Sequence, residues 1–544
     1  MARYRSFHRA RPAYLLAGLA LLSSVGVPMF HTPVATAETP AGTPAASAQG
    51  DFNGDGYADL AAGVPLEDIA FNNQGAVNII YGSANGLDGE AVPAQILVKN
   101  DAVEGPADQD GFGLALAVGD FNGDGFGDLA VGANGDNIGA EGNNEGSVTV
   151  FYGSAAGLVP ETSQYLTAPT PTNSDQFGFN LAAGDFDGDG RDELAVSVLH
   201  GDVGGQAGAG LVLVFPGGTA GLDTTGVRQL DQDQPGTENE AAEGDRFGIA
   251  LATGDVNGDG RADLAVGVPG EDFGAVLSGG AVHLFFGCAA GPTCQLLDTV
   301  NDQYLHMDVD GVKHFAKTGD NFGDTLAMAD FGRGPGADLA VGLSWKDVNR
   351  VVDAGMVAIF YGTPAGLTVA GEQVFHMAHK GVPGGGAQAG EAFGSILAAG
   401  NVGRGPQADL AVGMTYRDVG GLDKAGAVMV FYGSPDGLKA FNSQYLTQAA
   451  PEVPGDALAM SGFGKGLLIA DFGRSADGDL AIASREAVNG MPVAGAVAVL
   501  YGSELGVGTP GAGQLVTQDT PGVPDTAEPD DLFGGTYGQP GLAG

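Results

Sequence analysis

Apolar residues fall along this chain in short runs separated by turn formers, and the order of runs repeats. One unit reads Phe112 to Phe121 (FGLALAVGDF), Asp128 to Gly132 (DLAVG), Gly146 to Leu158 and Gln164 to Thr167. These segments are rich in Val, Leu, Ala, Phe and Tyr and are bounded by Gly, Asn, Asp and Pro, the pattern of short β-strands. No stretch sustains a helical period. A Phe-Gly pair opens each unit, with its phenylalanine at 112, 177, 247, 322, 393, 463 and 533, so the spacings are 65, 70, 75, 71, 70 and 70 residues.

A fixed period overrides the prior of about three domains that length alone suggests. Four short antiparallel strands per unit, repeated seven times, predict an all-β chain folded as a seven-bladed β-propeller, its small Gly and Ala positions letting the innermost strands crowd round an axis. The propeller is expected over residues 51–544, with repeats from near 51, 112, 177, 247, 322, 393 and 463, after a linker or short first strand at 38–50. A string of separate small sandwiches is the poorer alternative, because one such Gly-rich unit buries too little surface alone. The first acidic turn, at Asp51, lacks a Phe-Gly before it, and the last Phe-Gly, at Phe533, lacks an acidic turn after it. The ring therefore closes if residues 533–544 pair with the N-terminal segment, which removes free sheet edges. In the competing reading Ala45 to Gly50 is itself the inner strand and the tail packs outside it.

Charge adds a compartment. Arg3, Arg5, Arg9 and Arg11 precede an apolar run from Ala13 to Phe30 and the small-residue site Ala35-Thr36-Ala37, the layout of a secretory signal peptide cleaved after Ala37. The formal net charge is −44, and losing those four arginines takes the mature chain to −48. Such a chain is expected to be secreted, extracellular and monomeric; it repels nucleic acid and anionic membranes, and no later stretch inserts into a bilayer. Its 44% hydrophobic content still provides a core, so the acids must be placed for a reason. In an oxidising exterior the only two cysteines, Cys288 and Cys294, are expected to form a hairpin disulfide, the alternative being two buried thiols.

Much of the acid lies in nine-residue turns between the first and second strands of the first four units. Side-chain oxygens stand at position 1 (Asp51, Asp120, Asp185, Asp255), position 3 (Asn53, Asn122, Asp187, Asn257), position 5 (Asp55, Asp124, Asp189, Asp259) and position 9 (Asp59, Asp128, Glu193, Asp263). Glycine at position 6 permits the reversal that turns oxygens inward, and Tyr57, Phe126, Arg191 and Arg261 at position 7 can each offer a backbone carbonyl. An all-oxygen set of this size suits calcium better than octahedral magnesium, so about four calcium ions per chain are expected. Two carboxylates about 4 Å apart repel by roughly 4 kcal/mol at an effective dielectric near 20, which makes three in one turn costly without a cation. In the last three units (Asp330 to Asp338, Asn401 to Asp409, Asp471 to Asp479) positions 3 and 5 lose their carboxylate or amide oxygens, and Arg333, Arg404 and Arg474 occupy position 4. These guanidiniums are expected to pair with the remaining position 1 or position 9 acid.

Phe-Gly, the acidic turn, the Gly63-Val64-Pro65 type half-motif and YGSxxGL recur in order over nearly the whole mature chain. In this the chain resembles the FG-GAP repeat family of integrin alpha heads, as a secreted bacterial member. The resemblance implies calcium in the loops joining strands one and two. It also implies a ligand surface on the opposite face, in the loops joining strands two to three and strand four to the next blade. It differs from integrins in carrying its acidic loops in the first four blades, and it lacks their inserted adhesion domain.

Function must then be argued from the site. An extracellular protein or glycan ligand is expected, and Trp345, Lys346 and Arg350 with Tyr416 and Arg417 form a candidate aromatic and basic spot; a tryptophan that only packs its own loop is the bland reading. The alternative is an extracellular hydrolase or lyase with a site in the strand-connecting loops of one face. His306, Asp308, Asp310 and His314, or His376 and His379, are the candidate acid/base or metal clusters, although no GxSxG or HExxH motif is present.

Overall fold

The structure, a computed structural model, describes residues 50–535 except 90–91, 100–106, 139–142, 235, 238, 292–293 and 509–511. The expected signal peptide, the segment 38–49 and the tail from 536 lie outside the described residues. Within them the chain forms seven antiparallel sheets and no helix, hence none long and apolar enough to cross a membrane. Six sheets have four strands; that of blade 1 has three, Leu60–Val64, Ala76–Ile80 and Gln95–Leu97.

Blades stack face to face, so an inner strand has a neighbour on both sides. The second strands, such as Asp128–Ala133, Asp338–Leu343 and Asp479–Ser484, are accordingly buried throughout and read as continuous apolar runs. Outermost strands such as Val159–Leu166 and Lys439–Leu446 are exposed at mid-length. Every Phe-Gly phenylalanine is fully buried. Several meet a third-strand ring edge-on, as Phe112 does Phe151 with centroids 6.2 Å apart. The glycine that follows must be glycine: Gly113 has φ 92°, and a Cβ there would lie 2.5 Å from the Ala76 carbonyl of the preceding blade.

The ring closes as the sequence predicts. Gly534 donates its N–H to Gly63 O at 3.0 Å, the bond that Gly113 makes to Gly132 and Gly394 to Gly413 within their own blades. Phe533 N–H donates to Ala494 O of blade 7 at 2.8 Å, as Phe112 N–H does to Gln74 O at 3.0 Å. Phe533-Gly534 thus takes the place in blade 1 that Phe112-Gly113 takes in blade 2, while the innermost strand expected from 533–544 and the competing one at 45–50 lie largely outside the described residues. A second closure runs through the acidic turns. The position 8 N–H of each turn donates to the position 1 carbonyl of the preceding blade, from Gly127 to Asp51 (2.9 Å) round to Gly478 to Asn401 (2.9 Å) and, across the chain ends, Ala58 to Asp471 (2.7 Å).

Candidate metal-binding loops and the opposite face

In the loop that starts at Asp51, one carboxylate oxygen of Asp51 accepts from the N–H groups of Gly54 (2.6 Å) and Asp55 (3.0 Å), and the other from Gly56 (2.7 Å). Asn53 Oδ1 accepts from Asp55 N–H at 2.9 Å, and Asp55 from Tyr57 N–H at 3.0 Å. Gly54 and Gly56 sit at φ 73° and 93°, left-handed conformations that let the backbone curl round the first carboxylate. The same bonds recur from Asp120, Asp185 and Asp255. In the third loop, where position 3 is Asp, acceptor oxygens of Asp185, Asp187 and Glu193 lie within 4.8 Å of one another. Burial raises the carboxyls of Asp51 and Asp120 above their usual range, and burial with the neighbouring Asp189 raises Asp187. This oxygen-only donor set fits calcium: Asp or Asn at positions 1, 3 and 5 and the position 9 acid would hold it, and the ion would supply the positive charge that the loop lacks. Loops three and four also carry a local cation, since Arg191 pairs with Asp189, and Arg261 with Asp259 at 2.5 Å.

Position 9 has a second role. Asp59 accepts from Phe52 N–H (2.8 Å) and Gly82 N–H (2.9 Å), tying the turn to the end of the third strand. Asp128, Glu193, Asp263, Asp338, Asp409 and Asp479 repeat this bridge in the other six blades. Each oxygen keeps a second lone pair for a cation, but blades 5 to 7 retain the acid where positions 3 and 5 have lost theirs. The signal was in the sequence: Asp338, Asp409 and Asp479 survive in turns that no longer gather ligands.

The expected pairing of Arg333, Arg404 and Arg474 with those acids is overturned. Each arginine projects to the rim instead, where its own donors are taken up by main-chain carbonyls, and each position 9 carboxylate accepts from backbone N–H groups through both oxygens. Arg404 stacks its guanidinium 3.9 Å from the Tyr432 ring centre and donates to Leu505 O and Asn442 O, both at 2.6 Å. Arg333 does the same over Tyr361 at 4.2 Å, and Arg474 over Tyr501 at 3.8 Å while donating to Asn85 O across the ring closure.

Antiparallel order leaves the strand three-to-four hairpins at the end that bears the acidic turns, and puts the loops joining strands two to three, and strand four to the next blade, at the opposite end of the blades. The basic half of the candidate spot there does not reach the surface. Lys346 is buried and pairs with Asp320, and buried Arg417 pairs with Glu391 and donates to Tyr445 Oη at 2.8 Å. Trp345 and Tyr416 are half-buried, and Arg350 is exposed. Lys346 and Arg417 belong to a set of buried charge pairs among the loops of this end, which includes Lys99 between Asp110 (3.3 Å) and Asp136 (2.5 Å). His306 stacks on Phe273 (4.4 Å) and accepts from Asp308 N–H, so it forms no cluster with His314, which lies instead beside His376 and His379. Cys288 and Cys294 form the expected disulfide.

Residues 43–79, 112–151, 177–215 and 247–285 match the FG-GAP repeat. Over 167 residues the chain is 40% identical to mouse phosphatidylinositol-glycan-specific phospholipase D, covering 30% of this chain and 19% of that protein. It is 34% identical over 151 residues to mouse integrin alpha-7 (27% and 12%) and 30% identical over 198 residues to integrin alpha-PS2 of Drosophila melanogaster (36% and 13%). The aligned stretches thus span only 12 to 19% of these relatives. With its fold and its turns taken together, this chain is a seven-bladed propeller that carries FG-GAP repeats and is related to integrin alpha chains and to phosphatidylinositol-glycan-specific phospholipase D.

Proposed function

We propose that the chain is a secreted, extracellular binding module, braced by calcium in the turns of blades 1 to 4, that offers a protein or glycan ligand a surface away from those turns. One observation carries the reading: four turns gather oxygens round a curled backbone without enough local cation to balance them, while the other three have given up the position 3 and position 5 carboxylate or amide oxygens and the room for a position 3 side chain. The turn-bearing end repeats from blade to blade, whereas the opposite loops vary, so recognition belongs to the variable part. Among the described residues the histidines named for the hydrolase or lyase alternative are split, His306 stacking on Phe273 while His314, His376 and His379 line a groove between blades 5 and 6, so nothing there favours that alternative. A glycan and protein array, probed in calcium and again in chelator, tests this. The expected result is a restricted set of ligands held in calcium and released on chelation; ligand capture indifferent to chelator, or none under either condition, would contradict it.

A further inference from the structure

Between the outer strands of blades 5 and 6, Gly366–Phe375 and Lys439–Leu446, runs a cavity of about 840 Å³. Its charge is opposite to that of the molecule. Lys313, Arg333, Lys380 and Lys439 line it against only Glu372 and Asp436, leaving +2 on a chain of −44. Glu372 is buried and spent on Lys313, accepting from its backbone N–H at 3.0 Å and lying 3.3 Å from its Nζ. Lys439 meets Asp436 at 3.1 Å, a pair whose side chains are 43% and 86% exposed and therefore weak. Lys380 is exposed.

Two further features narrow the ligand. The outer strand of blade 5 cannot take another strand at the groove, because Gly371 O already accepts from Arg333 (2.5 Å) and Glu372 O from Lys313 Nζ (3.1 Å); peptide capture by strand addition is thereby disfavoured. Phe441 is 67% exposed at the rim, a flat apolar ring beside Gly381 of the facing loop. The wall between is imidazole: His314 from one interblade loop, His376 and His379 from the next, the last two with ring centres 6.0 Å apart. Burial and the two neighbouring imidazoles hold His376 down at about 4, so at neutral pH it is an uncharged hydrogen-bonding group suited to hydroxyls.

We infer that this groove binds a carboxylate-bearing polysaccharide, with uronate carboxylates at Lys380 and Lys439, a sugar face on Phe441 and hydroxyls along the imidazole wall. The assignment rests on the reading of the chain as a binding module and names its ligand class. The test is titration of the full chain, in calcium buffer, with an oligogalacturonate, a neutral maltooligosaccharide, a heparin oligosaccharide and poly-glutamate. The oligogalacturonate should bind most tightly and the neutral sugar poorly. Lys380→Ala with Lys439→Ala should weaken binding about tenfold, and Phe441→Ala severalfold, with melting unchanged because all three side chains sit at the rim. Undiminished binding by the double lysine variant overturns the site; tighter binding of poly-glutamate overturns the sugar, and tighter binding of heparin, whose sulfates outnumber its uronates, makes sulfate and not carboxylate the recognised group and overturns the ligand class. If the array yields a calcium-dependent ligand but the oligogalacturonate does not bind, the groove assignment fails while the binding-module reading stands.

Discussion

In blades 1 to 4 position 3 of the first turn is an Asn or Asp whose oxygen faces the loop; in blades 5 to 7 it is Gly332, Gly403 or Gly473, at φ 115°, 112° and 115°. A Cβ at those glycines would lie 1.9, 1.9 and 1.7 Å from the carbonyls of Ser434, Ser503 and Ser83 in the next blade. The second kind of turn has closed onto its neighbour and has no room for a ligand side chain. Its position 4 arginine completes the closure, though Arg333, Arg404 and Arg474 stand at φ near 70°, where a non-glycine residue costs about 1 to 2 kcal/mol. What both kinds share, the position 9 bridge and the ring of position 8 to position 1 bonds, belongs to the fold. What separates them is what braces the turn: in blades 5 to 7 an arginine that stacks on a tyrosine of its own blade and donates to a carbonyl of the next, and in blades 1 to 4, on the function proposed above, an ion.

The largest effects should fall on the shared part. Asp128→Ala in an acidic turn and Asp338→Ala in an arginine turn each orphan two buried N–H groups, and at about 1 to 3 kcal/mol apiece both should lose about 2 to 6 kcal/mol in denaturant titrations. A loss confined to Asp128 would mean that the bridge matters only through an ion. Burial also pushes Asp338 and Asp479 up to about 8 and Asp409 to about 7. An acid raised in the folded state contributes stability that is full below the ordinary carboxylate range and lost as pH climbs through the folded value. The melting temperature of calcium-loaded protein should therefore fall between about pH 5 and pH 8, and a rise over that window would contradict the buried bridge.

A smaller effect sharpens the difference. Arg404→Ala removes a cation–π contact and two carbonyl bonds but keeps an unfavourable φ of 69°, so the expected loss is about 1 to 2 kcal/mol, equal with and without chelator. Arg404→Gly should lose less, because glycine relieves the backbone. A chelator-dependent loss would show the arginine turns coupled to an ion after all.

The period, the strand runs and the closing Phe533-Gly534 were legible because a repeated apolar pattern reports burial between stacked blades directly. The acidic turns were legible for a related reason: Gly54 and Gly56 mark the curl, and oxygens at fixed offsets mark its inside. Arg404 was misread because sequence proximity to acids says nothing about the Tyr432 ring and the Leu505 and Asn442 carbonyls that other strands bring to it. Lys346 and Arg417 were misread because their partners, Asp320 and Glu391, stand 26 residues before each of them, beyond the reach of local pattern. The histidines were picked out but the basic groove was not, because Lys313 with His314, His376 to Lys380, and Lys439 stand about 60 residues apart in sequence and meet only where blades 5 and 6 pack side by side.

The central distinction is best tested by counting bound calcium on purified chain after dialysis, by elemental analysis alongside calorimetric titration. The account predicts four ions per chain, falling to three in Asp187→Ala and staying at four in Arg404→Ala. A count of seven, or none at millimolar calcium, would contradict it.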